Sequence, residues 1–291
     1  MICTSPIKIK NKSTGEELTV PCGQCLSCRL NHGREWALRI CHEMLYHNKS
    51  CFLTLTYDDQ HLPENDSLCK DDIQLFFKRL RKNTGLRLRY FVSGEYGDMF
   101  GRPHYHYIIF GLSSDDAVFM NKHYSKKAKG YQCLMKEWPN GHCFVGEVSP
   151  DSAAYVAKYQ LKKVKGKNAK EYYESLGIIP EFALMSRNPG IGYDFVVEHQ
   201  KFLFDKYGIR FKGKITKLPR YYESKIFDDD QKSERMAEKE YFRAEQLKQD
   251  YDDFIKYKLK TKDTKEYYQF CEEALKATEI NIKSQFGRRF K

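Results

Sequence analysis

The sequence predicts an α+β fold, a central antiparallel sheet flanked by helices, with a charged, mainly helical region at its C-terminal end. Period-two runs such as "CFLTLTYDD" (51–59), where Phe52, Thr54 and Thr56 alternate with Leu53, Leu55 and Tyr57, are strands with two distinct faces. Runs with apolar residues at helical spacing separate them. "LRLRYFVSGEYG" (86–97) and the strand beginning near Pro103 are joined by a hairpin-like turn, which makes these neighbours antiparallel. Hydrophobic residues make up 41% and aromatic residues 14% of the 291, enough to fill a core, so the chain is not disordered.

Residues 1–28 read as a short β-like stretch closing with "PCGQCLSC". From Arg29 to about Asn48, Trp36, Ile40 and Met44 fall at helical spacing, so residues 1–48 are expected as a cysteine-rich segment and a helix packed on the core. After the 51–59 strand, Asp71 is expected to cap "DIQLFFKRLRKN". Its Ile73, Phe76, Phe77 and Leu80 line one helical face, and Gly85 ends it. Residues 113–140, rich in lysine, read as helix and loop, and "GHCFVGEVS" (141–149) as a fourth strand. Ser149 then offers an N-cap, Pro150 the first helical position and Asp151 a charge suited to the helix dipole. The helix "DSAAYVAKYQLKK" runs into a basic tract through Lys167, and a mixed region over about 170–222 contains "SRNPGIGYD". Residues 223–291 are dense in charge of both signs and suit exposed helices; no internal repeat is visible.

Lysine and arginine number 50 against 39 acidic residues, a net +11 with a pI near 9.0, which favours a polyanionic partner such as nucleic acid or an acidic membrane surface. No apolar stretch reaches the ~18 residues of a membrane span. "MICTSPIKIKNKSTGEELTV" does not read as a secretory signal. The ten cysteines are therefore expected in a reducing compartment, where clustered thiols read first as metal ligands or buried thiols.

"GRPHYHYIIFG" (101–111) sets two imidazoles in an apolar strand. Residues i and i+2 share a face, so His104 and His106 project side by side with Ile108 and Phe110, while Tyr105, Tyr107 and Ile109 take the other face. Two imidazoles on one strand supply part of a metal site, and Glu95, just before the turn, can bring a carboxylate across the hairpin. Such a site leaves positions open for water and a phosphate oxygen. Two partly exposed histidines that only hydrogen-bond are the alternative.

"AAYVAKYQ" puts Tyr155 and Tyr159 at i and i+4, on one helical face. Tyrosine is a competent covalent nucleophile, but its ordinary pKa of about 10 calls for help from a metal or a basic group. Lys158, Lys162, Lys163 and Lys165 supply positive charge against which a nucleic-acid backbone can lie. Simple packing of the two phenols is the other reading.

"FLTLTYDD", "GRPHYHYIIFG" and "AAYVAKYQLKK", in that order, resemble the three motifs of the HUH endonucleases, and "VPCGQCLSCR" and "SRNPGIG" are similar to sequences of the microvirus, gokushovirus-type, replication initiators. The resemblance covers roughly residues 1–222 and implies a nickase domain over 49–222 with a palm/RRM-like sheet. It implies His104, His106 and Glu95 as ligands of Mg²⁺ or Mn²⁺ and Tyr155 and Tyr159 as paired nucleophiles. Lys158 would assist proton transfer or hold phosphate. The implied activity is rolling-circle initiation in the cytoplasm of a bacterial host: a nick at a single-stranded DNA origin, a 5′-phosphotyrosine link, a 3′-hydroxyl primer and final joining into a circle. Host helicase and replication machinery are the implied partners, with no membrane role.

Cys22, Cys25 and Cys28 form C-x2-C-x2-C, with Cys3 upstream and His32 downstream. Four such ligands would close a structural Zn²⁺ site, with Cys3 as the preferred fourth and His32 as substitute; an iron–sulfur site or plain reduced thiols are the alternatives. Arg187 in "SRNPGIG" reads either as part of a DNA-contacting loop or as part of a plain turn. Tyr57, Asp58 and Asp59 either shape a nucleotide pocket or only end their strand. The rival functions are a non-enzymatic, zinc-stabilised DNA-binding protein, an HUH relaxase or transposase, and a metal-dependent oxidoreductase using H-x-H with Glu. The tyrosine pair, placed after the histidines, argues against a relaxase.

Overall fold

The computed structural model describes residues 3, 5–10, 15, 17–97, 101–158, 163–164, 166, 168–205, 208–211, 214–232, 235, 248, 251–252, 254–262, 264–267, 269–271 and 273. The chain divides into two compact units, residues 1–199 with 210–216, and residues 200–209 with 217–291.

The first unit is built on a seven-stranded sheet in which every pairing is antiparallel. Its strands are β3 (Ser50–Tyr57), β4 (Arg89–Tyr96), β5 (Pro103–Phe110), β6 (Met120–Ser125), β7 (Gly130–Leu134), β8 (Gly141–Glu147) and β9 (Phe182–Met185), in spatial order β6-β7-β8-β3-β5-β4-β9. A separate hairpin, β1 (Ile7–Lys10) with β2 (Glu17–Val20), precedes helix α1 (Leu26–Met44). Helix α2 (Lys70–Thr84) follows β3, α3 (Pro150–Lys158) follows β8, and α4 (Ala169–Leu176) and α5 (Tyr193–Glu198) flank β9.

Alternation along the strands sorts the core into two layers. Leu53, Leu55, Tyr57, Val92, Tyr105, Tyr107 and Ile109 point to one face and pack with Ile73, Phe76, Phe77 and Leu80 of α2. Phe91, Ile108 and Phe110 point to the other, where Ile40 of α1, Ala153 and Val156 of α3 and Ile191 cover them. The wholly buried tyrosines carry their polar ends to partners: Tyr107 Oη donates to Ile73 O (3.0 Å), and Tyr105 Oη accepts the Cys69 N–H at the head of α2 (2.6 Å). Burying such a ring is worth about 2 kcal/mol, provided its hydroxyl stays bonded.

Two local expectations are corrected. Residues 113–140 hold the β6–β7 hairpin rather than a helix, with β7 paired to β8. Their lysines and exposed positions belong to the sheet's outer strands, where one face meets water. Asp71 does not cap α2: Cys69 stands at the N-cap, and Asp71 and Asp72 occupy the first turn, where their charge favours the helix dipole. The end of that helix is as expected, with Gly85 in the left-handed conformation at φ 65°.

In the second unit, α6 (Gln200–Phe204) and α7 (Arg220–Ile226) are the regular elements. Phe204 and Phe227 pack at 5.2 Å, and the Arg235 guanidinium lies over Phe227 while donating to Phe204 O. No helix among the described residues is long and apolar enough to cross a membrane.

Candidate active site

Strand β5 lies between β3 and β4, so both histidines sit on a backbone paired along both edges. The register sets Glu95 opposite His104 and Ser93 opposite His106 on the β4 side, and Thr56 and Thr54 opposite the same two histidines on the β3 side. All six share one face. His106 Nε2 and Glu95 Oε1 lie 2.9 Å apart, with His106 at 4% and Glu95 at 1% exposure. His104 is half-buried and its Nε2 faces Gly97, where a Cβ would come within 2.8 Å of it. Glycine at 97 therefore keeps space beside that nitrogen.

The threonines were read from the sequence only as part of the β3 alternation, yet each holds an imidazole. Thr54 Oγ1 pairs with His106 Nδ1 at 3.0 Å and Thr56 Oγ1 with His104 Nδ1 at 2.9 Å. Outer partners on Nδ1 that orient Nε2 are the usual support of a histidine metal ligand. The donor set, two imidazoles and one carboxylate on a rigid sheet with small polar neighbours, fits a hard divalent cation with open positions.

The helix carrying the tyrosines starts as its sequence dictates. Ser149 Oγ accepts the Ser152 N–H (3.2 Å), and Ser152 Oγ accepts the Ser149 N–H (2.7 Å), a reciprocal cap ahead of Pro150. Ala153 and Val156 bury against the sheet, and Tyr155 comes down beside the histidine pair. Its ring centre is 6.0 Å from that of His106, edge to face, and 6.5 Å from that of Phe52. Tyr159, Lys162 and Lys165 lie outside the described residues, as does the side chain of Lys158; Lys163 is half-buried.

Arg187 lines an open cleft with Gln74, Arg81, Arg87, Tyr90 and Asn188, beside the outer strand β9. The loop it belongs to is clamped from α1 and β4. Gly192 N–H donates to Glu43 Oε2 (2.6 Å), Arg39 Nε donates to Ile191 O (3.1 Å), and Arg89 donates both to Glu43 and to Gly190 O. Burial works to raise the Glu43 carboxyl, but His47, Arg89 and the Gly192 N–H outweigh it and hold the group below the ordinary range. One residue before it, His42 stacks on Phe195, and burial, helped by His199, brings its imidazole down to about 4. These residues gave no signal in the sequence. Tyr57 donates to Asp72 (2.7 Å), and Arg102 binds Tyr57 O and Asp59, so the end of β3 is tied to α2 and to the turn.

The N-terminal cysteines form a second cluster. The Sγ atoms of Cys3, Cys22, Cys25 and Cys28 all lie within 4.8 Å of one another. Burial, with the nearby thiols of Cys3 and Cys25, pushes Cys28 up to about 12, against a backbone hydrogen bond from Gly23. His32 instead accepts the Trp36 indole N–H (3.3 Å).

Comparison with known proteins follows the same residues. The family model of the ORF2-type replication-associated proteins matches residues 50–164, a span that includes β3, Glu95, both histidines and Tyr155. The chain is 39% identical over 172 residues to the replication-associated protein VP4 of Bdellovibrio phage phiMH2K, covering 50% of this chain and 53% of that protein. It therefore spans about half the length of that relative. It is 29% identical over 267 residues to the replication-associated protein ORF2 of Spiroplasma virus 4, covering 78% of this chain and 80% of that protein. Over 96 residues it is 38% identical to the replication-associated protein ORF4 of Chlamydia phage 1, covering 32% and 24%. No solved structure matches.

Proposed function

We propose that this chain, which the family match and the phage relatives support as a microvirus-type replication initiator, nicks and rejoins single-stranded origin DNA in the bacterial host cell. The observation that carries the reading is the approach of Tyr155 to His106, on the sheet face that also holds His104 and Glu95. His104, His106 and Glu95 are the residues that would hold Mg²⁺ or Mn²⁺, and such a cation, when bound, polarises a phosphodiester and stabilises charge on its oxygens.

The chain's own residues supply the rest. Tyr155 Oη attacks the scissile phosphorus; the P–O3′ bond breaks as the O–P bond forms, and the phenol's proton ends on the released 3′-hydroxyl. The product is a 5′-phosphotyrosine beside a primer end. After one round Tyr159 attacks the regenerated origin in the same way. The newly freed 3′-hydroxyl then displaces Tyr155 and closes the circle. Each step exchanges one phosphodiester for another, so no nucleotide is consumed. The excess of 50 basic over 39 acidic residues favours the DNA backbone, with Lys158, Lys162, Lys163, Lys165 and Arg187 as contacts. Host helicase and replication enzymes would extend the primer.

Incubation with Mn²⁺ and a single strand carrying the origin should give a covalent protein–DNA adduct. The Tyr155→Phe/Tyr159→Phe variant should lose it by on the order of 10³-fold or more. Cleavage by that variant at the wild-type rate would overturn the mechanism, and binding without any adduct would leave a DNA-binding protein alone.

A further inference from the structure

We infer that Cys3, Cys22, Cys25 and Cys28 bind one Zn²⁺ through four thiolates, and that this site fixes the start of α1, against which the Tyr155 helix packs.

The cluster is assembled by two turns of chain. Pairing of Ile7 with Val20 in the β1–β2 hairpin brings the segment before β1 beside the segment after β2, which sets Cys3 next to Cys22. Gly23 then takes φ +71°, a conformation that L side chains rarely adopt, and the chain turns through "CGQC" into α1. Cys25 stands at the N-cap and Cys28 in the first turn of that helix. The sulfurs already accept backbone hydrogen bonds of the kind that thiolate ligands take: Cys22 N–H to Cys3 Sγ at 3.3 Å, and Gln24 and Cys25 N–H to Cys22 Sγ at 3.4 and 3.3 Å. The positive end of α1, whose first turn holds no acidic residue, favours negative charge there.

Spacing selects the ion. Zn–S bonds of about 2.3 Å in a tetrahedron put sulfurs roughly 3.8 Å apart. Cys25 Sγ and Cys3 Sγ are 3.8 Å apart, and no pair exceeds 4.8 Å. An iron–sulfur cluster puts each thiolate on a different iron and spreads the sulfurs wider. None of the ten cysteines is in a disulfide. On binding, four S–H groups give their protons to solvent as four S–Zn bonds form, with no change of oxidation state.

The site's reach follows from packing. A Cβ on Gly33 of α1 would lie 3.3 Å from Ala157 O of α3, so the two helices touch backbone to backbone two residues from Tyr155. Gln24, inside the cysteine turn, lies beside Gly166 of the basic tract, 3.8 Å from where a Cβ would stand. The zinc assignment does not depend on the nicking reading; only the consequence for Tyr155 does.

The full chain, purified under reducing conditions, should carry about one zinc. Exchange into Co²⁺ should give the visible sulfur-to-cobalt absorption of a tetrahedral thiolate site, which the histidine site cannot produce. Cys22→Ser/Cys25→Ser should remove zinc and this absorption, Cys25→His should restore zinc, and Cys41→Ser/Cys271→Ser should leave both unchanged. Chelation of the wild-type chain should speed amide exchange at the start of α1 and in α3 by about tenfold or more, a readout independent of whether the serine variant folds. Ten titratable thiols with no zinc, a disulfide within the cluster, or zinc retained by the double serine variant would each overturn the site. Unchanged exchange in α3 would overturn its link to the tyrosine helix.

Discussion

Thr54 Oγ1 lies 3.0 Å from His106 Nδ1, on the side of the ring opposite Glu95. A hydroxyl both donates and accepts, so this contact survives either tautomer. When His106 donates its Nε2–H to Glu95, Thr54 donates to Nδ1. When Nδ1 carries the proton, Thr54 accepts it and Nε2 presents its lone pair. Thr56 stands in the same relation to His104, 2.9 Å from Nδ1. A backbone carbonyl in either place would allow one tautomer only.

Replacing these hydroxyls with methyl groups tests this directly. Thr54→Val and Thr56→Val keep shape and β-branching but remove the bond to Nδ1. Each should weaken Mn²⁺ binding by about 10–100-fold in calorimetric titration, with little loss of thermal stability.

Space beside His104 is a separate requirement. Gly97→Ala would set a methyl 2.8 Å from His104 Nε2, and the ring can yield only by leaving Thr56. Mn²⁺ affinity and adduct formation should fall together in this variant. A wild-type affinity would show that Nε2 of His104 is not a ligand atom.

The Glu43–Arg89 pair is buried, with side-chain exposures of 1% and 12%, and it carries the loop at 190–192. Glu43→Gln leaves the guanidinium without its counter-charge in the interior and should cost about 3–5 kcal/mol in chemical denaturation. Because the folded carboxyl titrates below the ordinary glutamate range, its contribution is full above that range and disappears as pH falls through the depressed value.

His42 adds a second acid-sensitive element. Its imidazole titrates near 4 in the fold against an ordinary 6.5, so the unfolded chain takes up the proton first. Stability should therefore decline as pH drops from about 6.5 towards 4, by roughly 3 kcal/mol in all. His42→Phe, which keeps a ring against Phe195, should flatten that part of the pH profile measured by thermal unfolding.

What the sequence disclosed follows the strength of its periodicities. The strand pattern at 103–110 and the turn before it were enough to put His104, His106 and Glu95 on one face, and the register bears out that juxtaposition. Ser149 and Pro150 announced the start of α3, because a cap is a local event. The β6–β7 hairpin did not declare itself: "MNKHYS" and "GYQCL" are mostly polar, and pairing with β8 rather than their own apolar pattern makes them strands. Thr54 and Thr56 were visible only as alternation, since their partners lie some fifty residues away and no local pattern encodes that distance. Glu43, in the middle of a helix, looked like an exposed charge until Arg89 and Gly192 came to it from 46 and 149 residues away.

Strand β5 speaks to two layers at once, with imidazoles on one side and, on the other, the Tyr105 and Tyr107 hydroxyls that hold α2. Its reading frame is therefore as consequential as its composition. A single residue inserted ahead of His104 would shift the phase by one, turning both rings into the α2 core and both phenols towards Glu95. Catalytic face and structural face would be lost in the same event, so this segment should accept substitutions far more readily than insertions or deletions.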